Sequence, residues 1–97
     1  MAVRLIITIN AAPGKGAELA EALKGRCEAV AAEPGCLQFE AFRSALDPDK
    51  LTLLELWEDD AALEAHGKMN ATRAPLPAGL IAGGGGGRED YVYNKTR

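Results

Sequence analysis

Apolar positions come in successive blocks, and their period switches along the chain. Residues 3–10 (VRLIITIN) are apolar on both alternating rows, with Val3, Leu5, Ile7 and Ile9 on one and Ile6 and Thr8 on the other. That pattern predicts a central strand covered on both sides, ended by polar Asn10. Residues 11–16 (AAPGKG) form a Pro/Gly turn. Over 17–33 the spacing becomes helical: Leu19, Leu23, Cys27 and Val30 recur at helical steps, with acidic residues mostly in other directions. Gly25 inside this helix costs about 1 kcal/mol relative to Ala, which would be consistent with close packing there. Pro34-Gly35 stops the helix.

Period two then returns. Residues 37–44 (LQFEAFRS) place Phe39 and Phe42 on opposite faces of a strand. Asp47-Pro48-Asp49 is a turn in which Asp side chains cap the backbone and Pro fixes φ. Residues 51–58 (LTLLELWE) give a second strand, with Leu51, Leu53, Glu55 and Trp57 on one face and Thr52, Leu54, Leu56 and Glu58 on the other. Asp59 is the expected N-cap of a helix over 60–66, with Gly67 just past its end. Ala62, Leu63 and His66 share a face of that helix, and Glu64 and Lys68 pair across one turn. Residues 69–82 (MNATRAPLPAGLIA) are irregular, with a turn or two of helix. Residues 83–87 are consecutive glycines, expected to be a flexible loop. Residues 88–95 (REDYVYNK) read as a last strand.

The order β-α-β-β-α-β is the ferredoxin-like plan of the α+β class: a four-stranded antiparallel sheet with both helices on one face. The other face has no cover within the chain, yet its strands are apolar on that side too. A second copy would cover it, so the pattern predicts a symmetric homodimer.

Composition narrows the class. The 97 residues suit one domain, 1–97, and an apolar fraction of 47% is that of a globular chain. A net charge of -3 with scattered basic residues excludes nucleic acid as the main partner, and the tail pair Lys95 and Arg97 is too short to act as an arm. Cys27 and Cys36 show no metal-ligand spacing, so no metal is expected, and reduced thiols are favoured over a disulfide. The first apolar run is short for a signal peptide and no run approaches a membrane span, which makes the expected location cytoplasmic.

The stretch EPGCLQFEAFRS…DPDKLTLLELWEDDAALEAH, preceded by PGKGAELAEAL, resembles the antibiotic biosynthesis monooxygenase family over residues 3–70. The paired PGC and WEDxxALxAH motifs carry the resemblance. It implies a dimeric α+β barrel of ferredoxin-like protomers, each with a pocket between sheet and helices. It also implies a cofactor-independent monooxygenase, using O2 on electron-rich aromatics such as anthrone-like polyketides or quinols, without metal or flavin. Some relatives bind or degrade haem, with Asn, Trp and His in key roles, and others have no known activity. Two further readings follow from that: a haem-binding or haem-degrading monooxygenase, and a non-catalytic ligand-binding or structural dimer. Many relatives continue into an SPHF-like segment that closes the pocket. This chain has GKMNATRAPLPAGLIAGGGGG instead.

The candidate catalytic residues are His66, Trp57 and Asn10. His66 suits a general base, since free imidazole titrates at a pKa of about 6.5; a helix-end histidine packed on the sheet or bonded to a carbonyl is the alternative. Trp57 suits an indole donor to a substrate or peroxide oxygen, or a structural aromatic at a strand end. Asn10 could orient a carbonyl or phenol, or simply form the turn. Candidate substrate contacts are Phe39, Phe42, Glu55, Met69 and Tyr91, with Tyr93 on the same side as Tyr91. Glu55 is either a buried carboxylate with a raised pKa or half of a cross-strand ion pair with Arg43 or Arg4.

Overall fold

The computed structural model describes residues 1–83 and 86–93. The expected elements are all there: β1 (Ala2–Asn10), α1 (Gly16–Ala31), β2 (Cys36–Arg43), β3 (Lys50–Trp57), α2 (Asp60–Asn70) and β4 (Gly87–Tyr93). The sheet runs β2-β3-β1-β4 and every neighbouring pair is antiparallel. The doubly apolar strands, β1 and β3, are the two central ones, as burial on both faces requires.

Register fixes what each face carries. Val3 pairs with Trp57, Leu5 with Glu55, Ile7 with Leu53 and Ile9 with Leu51. These rows face the helices and form the core with Phe39, Leu19, Leu23 and Val30. The opposite face presents Ile6, Leu54 and Leu56, all half-buried, together with Phe42 and Tyr91, which are 47% and 50% exposed. Arg4 crosses this face, donating to Gln38 Oε1 at 2.5 Å.

The two helices differ in how they are seated. α1 lays Gly16, Leu19, Leu23 and Val30 against the sheet. Its N-cap, Lys15, makes no side-chain cap. Asp49 from the β2–β3 turn caps it instead, accepting from the backbone N–H groups of Gly14 at 2.9 Å and Gly16 at 3.0 Å. A Cβ on Gly16 would lie 1.8 Å from the Pro48 carbonyl oxygen, so this contact needs glycine. α2 is capped by Asp59, whose Oδ1 accepts from Ala62 N–H at 2.8 Å, yet it buries none of its residues fully.

Three local expectations need correction. α2 does not end at Gly67; it runs to Asn70, because Ala71 N–H bonds to the Gly67 carbonyl and the Glu64–Lys68 pair spans the extra turn at 3.6 Å. Gly25 makes no close contact, so its place in the helix has no packing reason. The segment after α2 is also more ordered than its Pro and Gly content suggests. Ala12 N–H bonds to Leu80 O, Ala82 N–H bonds to Asn10 O, Ala11 bridges Ile81, and Leu80 joins the core. Within the expected loop 83–87, Gly84 and Gly85 lie outside the described residues, and Gly87 already belongs to β4. The end of the expected strand 88–95, Lys95, Arg97 and the Tyr93 side chain also lie outside them. Cys27 and Cys36 are free thiols. No helix among the described residues is long and apolar enough to cross a membrane.

Candidate active site

Because α2 buries no residue fully, a gap remains between it and the sheet. The gap is a pocket of about 740 Å³, walled by Leu5, Ile7, Leu53, Phe39, Leu63 and Leu76, with Glu55, His66, Arg88, Arg26, Glu64, Lys68 and Asn70 as polar members. A concavity of that size with apolar walls and several polar groups at its margin suits a small molecule.

Trp57 ends β3 on the helix-facing row and is fully buried. His66 stacks on the indole at 4.6 Å between ring centroids and 27° between planes. Phe39 meets the imidazole at 5.8 Å, tilted by 58°. The indole N–H donates to Glu55 Oε1 at 2.9 Å. Trp57 is therefore the wall behind His66, and its donor is engaged by a carboxylate.

His66 is held by a charged residue rather than a carbonyl. Its Nδ1 lies 3.0 Å from Glu33 Oε1, and Arg73 donates to Glu33 Oε2 at 2.6 Å. Glu33 and His66 side chains are only 6% and 11% exposed. A carboxylate accepts, so this contact assigns the proton to Nδ1 and leaves Nε2 as the basic nitrogen of a ring that lines the pocket. The loop that carries Glu33 is pressed onto α2. Gly35 has φ +80, and a Cβ there would fall 2.5 Å from Ala62 Cβ. Glu58 N–H bonds to Gly35 O at 2.9 Å and ties the same loop to the end of β3.

Glu55 is 2% exposed. Burial pushes its carboxyl above the usual range; the Trp57 N–H and the charges of His66 and Arg88 pull it back, and Glu33 pushes it further up. The expected ion pair with Arg4 or Arg43 does not form. Arg4 pairs with Leu56 and projects from the other face, reaching only the Glu55 backbone carbonyl at 3.3 Å, while Arg43 pairs with Leu51 and donates to Pro48 O.

The other sequence candidates disperse. Asn10 pairs with Lys50, at the far end of β1 from the Val3–Trp57 pair, and lines a separate pocket of about 260 Å³ with Ile81, Ala82 and Gly86. Phe42 and Tyr91 lie on the open face, where Tyr91 donates to Glu89 Oε1 at 2.5 Å. Met69 is 46% exposed and touches Arg73 through its sulfur at 3.7 Å. The structure thus brings together Trp57, His66, Glu55 and Phe39. Sequence reading missed Glu33 and Arg73. Glu33 left one signal: it is an acid just past a helix C-terminus, where the helix dipole disfavours negative charge.

Residues 2–74 match the family model described as antibiotic biosynthesis monooxygenase. Among curated proteins none matches the chain. A crystal structure of a protein from Pseudomonas aeruginosa is 28% identical with a TM-score of 0.79, covering 97% of this chain and 95% of that one. A candidate antibiotic biosynthesis monooxygenase from Nitrosomonas europaea is 23% identical, TM-score 0.77, covering 97% and 89%. Another from Deinococcus radiodurans is 18% identical, TM-score 0.76, covering 98% and 95%. These last two likenesses speak for the fold.

Proposed function

Because the chain belongs to the antibiotic biosynthesis monooxygenase family, we propose that it is an oxidoreductase that inserts one atom of O2 into a phenolic or quinol-like aromatic, the substrate itself supplying the electrons. The observation that supports this reading is the Arg73–Glu33–His66 chain, which leaves Nε2 as the basic nitrogen of an imidazole in the pocket lining. His66 removes the phenolic proton. The phenolate passes one electron to O2, and the aryloxyl radical and superoxide combine to a peroxide. Loss of water from the peroxide leaves a carbonyl at that carbon, so one oxygen atom enters the product and the other leaves as water. Desolvation by the apolar walls and orientation by Phe39 are the protein's share.

Assembly belongs to the same proposal. The apolar residues of the open face, Ile6, Leu54, Leu56 and Phe42, support a homodimer that covers them. The test of the chemistry is oxygen uptake with 1,4-naphthohydroquinone and anthrone, corrected for the rate without protein. Uptake is expected in the native chain and to fall about 10²-fold or more in His66→Ala. Retained aromatic binding with no uptake above background would replace the reading with a ligand-binding dimer.

A further inference from the structure

The buried carboxyl of the pocket, Glu55, has no part in the scheme above. Glu55 stands among Leu5, Leu53 and Phe39 on the pocket wall. Its Oε1 takes the Trp57 N–H. Among the described residues no buried side-chain oxygen lacks a partner, so Oε2, for which no hydrogen bond is found, keeps contact with the open space of the pocket. An oxygen so placed can carry a proton or meet a ligand group. Trp57 cannot take up that role, because indole only donates and its one donor is engaged.

Building on the monooxygenase reading, we propose that Glu55 is the hydroxyl-recognising and proton-exchanging residue of this pocket, acting through Oε2 and coupled to His66 by the Trp57 indole that touches both. The ligand class is a planar apolar molecule with a hydroxyl or keto oxygen directed at Oε2, not an apolar hydrocarbon.

The groups facing Glu55 set its behaviour. From α2 comes His66; from the loop before β2, Glu33; from β4, Arg88, itself paired with Asp90 at 3.2 Å. Cys27 of α1 and Cys36 of β2 lie near enough to respond to its charge, and both thiols are pushed up, chiefly by burial. Burial is the largest influence on Glu55 and favours its neutral form. When His66 takes the phenolic proton, its new positive charge strengthens the Glu55 acid across the indole. Base and acid are thus called on in order.

The proton count closes. Glu55 passes its proton to the terminal oxygen of the peroxide anion. The carboxylate so formed removes the C–H proton from the peroxide-bearing carbon as the O–O bond breaks. The departing hydroxide takes the proton held by His66 and leaves as water. A carbonyl remains on the substrate, and both residues return to their starting forms.

The experiment uses infrared difference spectra and the fluorescence of Trp57, the chain's single tryptophan. The ligand-free protein is expected to show a protonated-carboxyl band that disappears in Glu55→Gln, an amide that can still accept the Trp57 N–H. Adding 1-naphthol should shift that band, and naphthalene should not. In oxygen uptake with 1,4-naphthohydroquinone, Glu55→Gln should be about 10²-fold slower. It should also lack the fall in rate that the native chain shows as rising pH ionises Glu55. Absence of 1-naphthol binding, or binding that quenches Trp57 and leaves the band unmoved, overturns the proposal. So does an unaltered pH profile in the variant. A band that moves while the native chain consumes no oxygen keeps Glu55 as the recognition group and removes the oxidative reading alone.

Discussion

Glu33 decides which nitrogen of His66 carries the proton. A carboxylate at Nδ1 can only accept, whereas an amide there can present an N–H and favour the other tautomer. Glu33→Gln is therefore expected to move the proton to Nε2 and slow oxygen uptake about 10²-fold, with the fold intact. Nitrogen NMR of His66 gives the check independent of turnover: an unchanged tautomer would break the assignment. His66 and Trp57 were legible as a pair because they are the only residues of their kind and stand at a strand-to-helix junction. Their partner was not. Glu33 lies 33 positions away from His66, and no local pattern couples positions that far apart. Asn10 shows the reverse failure. Its chemistry suited a site, but the β1–β3 register puts it at the wrong end of the strand.

At the scale of elements, strands were read well because period two survives in their burial; β3 alternates buried and half-buried over nearly its whole length. Helix ends were read less well. Gly67 looked like a terminator, but its backbone is helical and one more turn follows it, held by ordinary i to i+4 bonds. The N-terminus of α1 was hidden for a different reason: its cap is borrowed. Asp49 sits in the hairpin turn and satisfies donors of a helix far from it in sequence. Asp49→Ala is expected to destabilise the chain by about 1–2 kcal/mol, the usual worth of an N-cap. Urea unfolding gives the measurement. A change no larger than that of an exposed control such as Asp60→Ala would show that water replaces the carboxylate without loss.

For the whole molecule, the ferredoxin-like order and the family were both readable, because strand order follows from the succession of patterns and the PGC and WEDxxALxAH motifs sit on the hairpin and junction. A pocket between sheet and helices came with the resemblance, but its size and lining did not, since they depend on how far α2 stands from the sheet. The open face leads to a prediction at this scale. Sedimentation is expected to give a dimer at micromolar concentration, and Leu54→Arg, placed at the centre of that face, a monomer. A native chain that sediments as a monomer would leave Ile6, Leu54 and Leu56 without a partner.

The shallow seat of α2 has a consequence for timing. This helix carries His66 and forms one side of the pocket, yet it buries no residue fully and is fastened through Glu33 and Arg73. Segments with so little buried surface detach more often than the core around them. A detachment of α2 parts Nδ1 from Glu33 and lifts the imidazole from the indole. On the proposed chemistry, His66 is competent as a base only while α2 is seated. Reactive oxygen species formed inside would then be kept from bulk water during the interval in which they exist, and released only after the machinery that made them has come apart.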